Sequence, residues 1–140
     1  MKATIPQNAG AGPRDAENEL LVLALWEQHT AWILDRTARW PKALRMSLTH
    51  RVENEALELV SILVRARYRR RGRSALLEEA NLGLERLRYL FRFARGRSAL
   101  SNRSFEAAVR GLDEVGRMLH GWRQNLQARK GCEEIGGGQE

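Results

Sequence analysis

The side chains of this sequence best suited to chemistry are its arginines, which make up 21 of the 24 basic residues. A guanidinium stays charged at every physiological pH, forks onto pairs of phosphate oxygens and stacks on planar rings, so an arginine excess points to an anionic partner. Placement sharpens the reading. Residues 60–103 hold twelve arginines against three glutamates, a net of +9, which leaves −2 for the rest of a chain whose total is +7. Arg65, Arg67, Arg69, Arg70, Arg71 and Arg73 fall within nine residues, Arg88, Arg92 and Arg95 follow at i, i+4, i+7, and Arg97 stands just beyond. On a continuing helix Arg65 aligns with Arg69 and Arg67 with Arg71, and like charges at that spacing repel by about 0.2–0.5 kcal/mol per pair. A phosphate backbone would relieve that repulsion. Tyr68, Tyr89 and Phe93 lie among these arginines; such rings can stack on unpaired bases, although at helical spacing they also serve as packing residues. These ten arginines are the candidate nucleic-acid and partner-binding residues. Phosphate contacts carry no base information, so salt-sensitive, sequence-tolerant binding is expected.

No catalytic set emerges beside them. Di-metal centres in helical bundles use Glu-x-x-His pairs, but the residues three before His29, His50 and His120 are Trp26, Ser47 and Arg117. His29 stands one turn from Leu25 and Ile33 on an apolar face, which reads as a hydrogen-bonded core imidazole. Phosphate-loop, Cys-x-x-Cys and nucleophile-elbow patterns are missing from the sequence. Glu53, Glu55, Glu58, Glu78 and Glu79 raise an acidic nuclease as an alternative, but no nucleophile or metal cage accompanies them. Pairing with Arg51, Arg86 and other arginines is the simpler expectation. No catalytic residue, metal or cofactor is therefore assigned. The single cysteine, Cys132, precludes an intrachain disulfide and fits a reducing cytoplasm. The first apolar run, Leu20 to Trp26, is too short to span a bilayer, and the segment before it lacks the apolar core of a signal peptide. A cytoplasmic protein without a membrane partner is expected.

The elements that would position the arginines are all helical. Proline occurs only at 6, 13 and 41, so Trp40-Pro41 is one break, and Gly72 and Gly96 suit left-handed helix ends at two more. Three breaks give four helices. Phe105, Ala108, Leu112, Val115, Leu119, Trp122 and Leu126 alternate at three and four residues, as do Leu77, Ala80, Leu84, Leu87, Phe91 and Ala94. Leu44, Leu48, Val52, Ala56, Leu59, Leu63 and Ala66, with Ile62, mark the second helix; Leu21, Leu25, Trp26, Trp32 and Ile33 mark the first. Ser101 reads as an N-cap with Leu100 and Phe105 as a hydrophobic staple. Short connections make an all-α, up-down-up-down four-helix bundle over residues 18–127, with flexible tails at 1–17 and 128–140. Gly83, Gly111, Gly116 and Gly121 lie inside these helices, and Gly111, Gly116 and Gly121 of the last do not form one seam. The hexapeptide at 71–76 recurs at 95–100, read as repeated turn chemistry at opposite ends of the bundle.

In this layout Trp40-Pro41-Lys42, RVENEALEL at 51–59, LLEEANLGLERLRYLFRFAR at 76–95 and LDEVGRMLHGW at 112–122 resemble the accessory variability determinant (Avd) proteins of diversity-generating retroelements. That family is related to the four-helix intervening-sequence proteins of 23S rRNA. The resemblance covers about Leu25 to Trp122, and this chain departs from it in its long tails and arginine-rich second turn. It implies a ring-shaped homopentamer that binds template-repeat RNA, cDNA and a partner reverse transcriptase in support of mutagenic retrohoming. The alternative is a self-assembling interaction protein of the intervening-sequence type, without a polymerase partner.

Overall fold

The computed structural model describes the backbone of residues 13–137 and the side chains of residues 16–129. Four helices form: α1 Pro13–Thr37, α2 His50–Tyr68, α3 Arg73–Gly96 and α4 Asn102–Gly137. No strand occurs among the described residues. Each helix packs against its two neighbours in the order α1, α2, α3, α4 and back to α1, so the four close a ring around one core. Their antiparallel sense follows from cross-helix bonds. Glu19 meets Arg67 and Thr37 meets Glu53, while Arg86 of α3 reaches back to Glu55 of α2. Helices α1 and α4 run past the expected limits of 18 and 127. Residues 1–12 and 138–140 of the expected tails lie outside the described residues.

Burial follows the three-and-four periodicity closely in α3, where Leu77, Ala80, Leu84, Leu87, Phe91 and Ala94 are all buried. In α4 Ala108, Leu112, Val115, Leu119 and Trp122 are buried, with Phe105 and Leu126 partly so. Helix α1 departs from its expected phase. Leu21 is 50% exposed, and the seam consists of Val22, Trp26 and Ile33 interleaved with buried Glu19, Thr30 and Thr37. Polar residues can occupy a core face when bonded: Thr37 donates to Glu53 Oε2 at 2.9 Å, and Glu19 takes an arginine. The indole of Trp26 donates to the Ala56 carbonyl at 3.0 Å, fixing α1 on α2.

Trp40-Pro41 breaks the chain as expected. Between Pro41 and α2 the backbone passes through a 3₁₀ turn, Lys42–Leu44, and a π-helical turn, Arg45–Thr49. Helix α2 then stops at Tyr68, with Arg69 extended, so the expected alignment of Arg65 with Arg69 and Arg67 with Arg71 does not form. Arg73 supplies the reason. Its guanidinium donates to the carbonyls of Ala66, Arg67 and Arg69 at 2.6, 2.9 and 3.2 Å, capping the last turn of α2 with a cation. Such a charge at a partly buried C-terminus contributes up to about 2 kcal/mol.

The two copies of the hexapeptide behave differently. In the first, Gly72 is left-handed (φ +73°) and the residues after it begin α3. In the second, Gly96 is still helical and Ser98 takes the left-handed conformation (φ 63°). There Ala99 N–H donates to Ala94 and Ser98 N–H to Arg95, the paired closure of a Schellman end. Ser101 caps α4 as expected, its Oγ accepting from Ser104 N–H at 3.1 Å.

Candidate nucleic-acid interface

The fold divides the ten candidate arginines into two groups. Arg67 and Arg73 converge on Glu19 at 3.0 and 3.9 Å in a nearly buried cluster joining α1, α2 and α3. Burial pushes the Arg73 guanidinium below its usual range, opposed by Glu19, and an arginine so lowered remains a cation. Arg88 is bound to Asp113 of α4 at 2.7 Å and to Glu85 at 3.5 Å. Arg65 meets Glu58 at 3.3 Å on the surface, a pair worth about 0–1 kcal/mol. These four arginines are thus engaged internally to different degrees.

The other six, Arg69, Arg70, Arg71, Arg92, Arg95 and Arg97, are exposed and make no ion pair with a carboxylate among the described residues. Arg69, Arg70 and Arg71 sit in the turn between α2 and α3. Arg92, Arg95 and Arg97 sit at the far end of α3, about 35 Å away along a helix rising 1.5 Å per residue. Arg92 lies over the Tyr89 ring at 5.1 Å and Arg95 over Phe105 at 3.9 Å. The candidate interface is therefore two separate basic clusters. Lys42 and Arg45, exposed in the irregular segment before α2, are packed near the second cluster's end of the bundle. Sequence reasoning passed over them because charge was counted along the chain, whereas the turn after Pro41 returns them to the end of α3.

Two clefts flank the helices. One, of about 540 Å³, is lined by Leu44, Ser47, Leu48, Arg92, Phe93, Gly96 and Arg97. The other, of about 270 Å³, runs between α1 and α4 over His29, Trp32, Gly111 and Glu114. His29 is hydrogen-bonded as its spacing predicts, but it is half-buried in the wall of this cleft and not a core residue. Its Nε2 lies 3.2 Å from the Ala108 carbonyl, and its ring stacks on Trp32 at 5.5 Å with a 6° tilt. Burial lowers its pKa, against the Ala108 carbonyl and Glu114, which favour the charged form. Because a carbonyl oxygen only accepts, Nε2 carries the hydrogen of this bond.

Of the acidic residues that suggested a nuclease, Glu55 holds Arg86 at 2.9 Å, Glu58 holds Arg65 and Glu53 accepts from Thr37. Among the described residues no three His, Cys, Asp or Glu side chains form a metal cage, and no helix is long and apolar enough to cross a membrane. A family model described as bAvd-like matches residues 20–126, which span all four helices. No curated protein matches the chain.

Proposed function

This chain belongs to the bAvd-like family, and on that premise we propose that it is a non-enzymatic accessory protein of a diversity-generating retroelement. In this reading it binds RNA or cDNA together with the partner reverse transcriptase, as a homopentamer, in support of mutagenic retrohoming. The observation that carries the nucleic-acid part is the set of six exposed arginines without a carboxylate partner among the described residues. A guanidinium already bound to a carboxylate must give up that partner to take a phosphate, whereas these six have no carboxylate to give up, and Arg92 and Arg95 can keep their ring contacts while binding an anion. In a pentamer each cluster would be repeated five times.

Binding of a single-stranded RNA by the purified protein, followed against salt, tests the reading. Six phosphates neutralised per protomer predict a slope of log K on log salt near about −4. A flat response would refute it. Charge reversal belongs at Arg92 and Arg97. Reversing Arg88 as well would break the Asp113 bridge between α3 and α4 and confuse loss of binding with loss of fold. A search for a reverse-transcriptase gene beside this one and co-purification with its product, together with light scattering for subunit number, test the remaining parts.

A further inference from the structure

The cleft at the C-terminal end of α3 combines an exposed ring, cations without a carboxylate partner among the described residues, and room. Phe93 is 61% exposed on a helix whose inner positions are filled, so the core does not account for it. Arg92 and Arg97 flank it without a carboxylate partner among the described residues. Leu44 and Leu48 supply partly buried apolar walls. Ser47 already donates its hydroxyl to the Leu44 carbonyl at 3.3 Å, which leaves its oxygen to accept. The opposite wall belongs to the π-helical turn Arg45–Thr49, a geometry rare in helices and concentrated at functional sites. Gly96 completes the lining, and nothing lies within 4 Å of where its Cβ would stand. The cleft volume of about 540 Å³ falls within the range of small-ligand sites, roughly 300–1,000 Å³.

From this juxtaposition we infer that the cleft is a pocket for one unstacked nucleotide of a single strand. The base lies against Phe93 between the leucine walls, and the flanking phosphates lie on Arg92 and Arg97. Charge favours this occupant over an apolar protein segment, because two guanidiniums at the rim would lose water on such docking and gain no anion. The inference rests on the nucleic-acid reading above and adds a position, a stacking partner and a preference for unpaired strands, since a base within a duplex cannot reach Phe93.

The test uses the full chain and matched single-stranded RNA and DNA oligonucleotides carrying one 2-aminopurine, with Phe93→Ala and Gly96→Leu as variants. Phe93→Ala removes the stacking face, and Gly96→Leu fills the pocket without changing charge. Both sites are exposed, so the thermal melt of the free protein should hold. The expected result is quenching of 2-aminopurine fluorescence by the unmodified protein. Each variant should lose that quenching and bind roughly five- to a hundred-fold more weakly. Loss with either sugar supports the pocket, and the arm that shows it identifies the strand. Binding by the unmodified protein that neither variant weakens would overturn the pocket while sparing the broader reading. A change in subunit number with both variants would make the cleft a contact between copies and overturn it too. No oligonucleotide binding at all would remove both readings together.

Discussion

Gly111 of α4 faces His29 of α1 so closely that a Cβ there would overlap the imidazole ring. Ordinarily a Gly→Ala change inside a helix stabilises by about 1 kcal/mol. Here the methyl must displace His29, forfeiting the Ala108 bond, worth about 1 kcal/mol, and the Trp32 stack, worth about 0.5–1.5 kcal/mol. The cleft beside His29 leaves the ring room to move, so crowding adds only the low end of the usual range, about 1 kcal/mol. Gly111→Ala should therefore destabilise the bundle by about 2 kcal/mol net. In a His29→Ala background the obstruction is gone, and the same substitution should stabilise by about 1 kcal/mol, a coupling of about 3 kcal/mol between touching residues. Urea titration of the four proteins in this cycle measures it. With a slope of about 2 kcal/mol per molar urea, the midpoint should fall by roughly 1 M in one background and rise by about 0.5 M in the other. A stabilising Gly111→Ala in the unmodified protein, or equal effects in both backgrounds, would refute the close approach.

Three further outcomes follow from the same contacts. Burial depresses the folded-state pKa of His29 below its ordinary 6.5, so the unfolded chain takes up this proton first. Stability should hold above pH 6.5 and decline as pH falls through the folded value, and His29→Phe should flatten that slope in pH-dependent melting. Glu19→Gln leaves Arg67 and Arg73 facing each other with side chains only 17% and 16% exposed; calorimetry should show a loss of about 3 kcal/mol, some 10 °C in Tm. Ser98→Gly relieves a left-handed Cβ and should raise stability by about 0.5–1 kcal/mol in the same calorimeter.

What the sequence made legible was whatever depends on spacing within one helix. The seams of α3 and α4 could be read residue by residue, because apolar side chains at three and four residues have one face to bury. The phase of α1 is not legible at Leu21 because Glu19, Thr30 and Thr37 take core positions: Glu19 and Thr37 bond to side chains of α2 and α3, while the buried Thr30 hydroxyl has no hydrogen-bond partner among the described residues. The glycines show the same limit. Gly111 is explained by a histidine 82 positions earlier in the chain, and Gly83 by the Leu59 side chain 3.0 Å from its Cβ position. Gly121 meets nothing within 4 Å and has no structural account. For the candidate interface, composition pointed to a residue type and a region. It could not separate Arg67, Arg73 and Arg88 from Arg92 and Arg97, because what distinguishes them is a carboxylate brought from elsewhere in the fold.

The hexapeptide repeated at 71–76 and 95–100 is one word with two meanings. At its first occurrence the third letter, Arg73, is fastened to the carbonyls of α2 and to Glu19; at its second, Arg97 is exposed and the first letter, Arg95, rests on Phe105. Since the letters are identical, the instruction to start or to stop a helix is written in the neighbouring text. Residues 71–100 transplanted into a foreign scaffold would carry the stop, whose closing bonds run from Ser98 and Ala99 to Arg95 and Ala94, but not the anchorage of the start, which Glu19 and the last carbonyls of α2 supply and which would have to be composed anew.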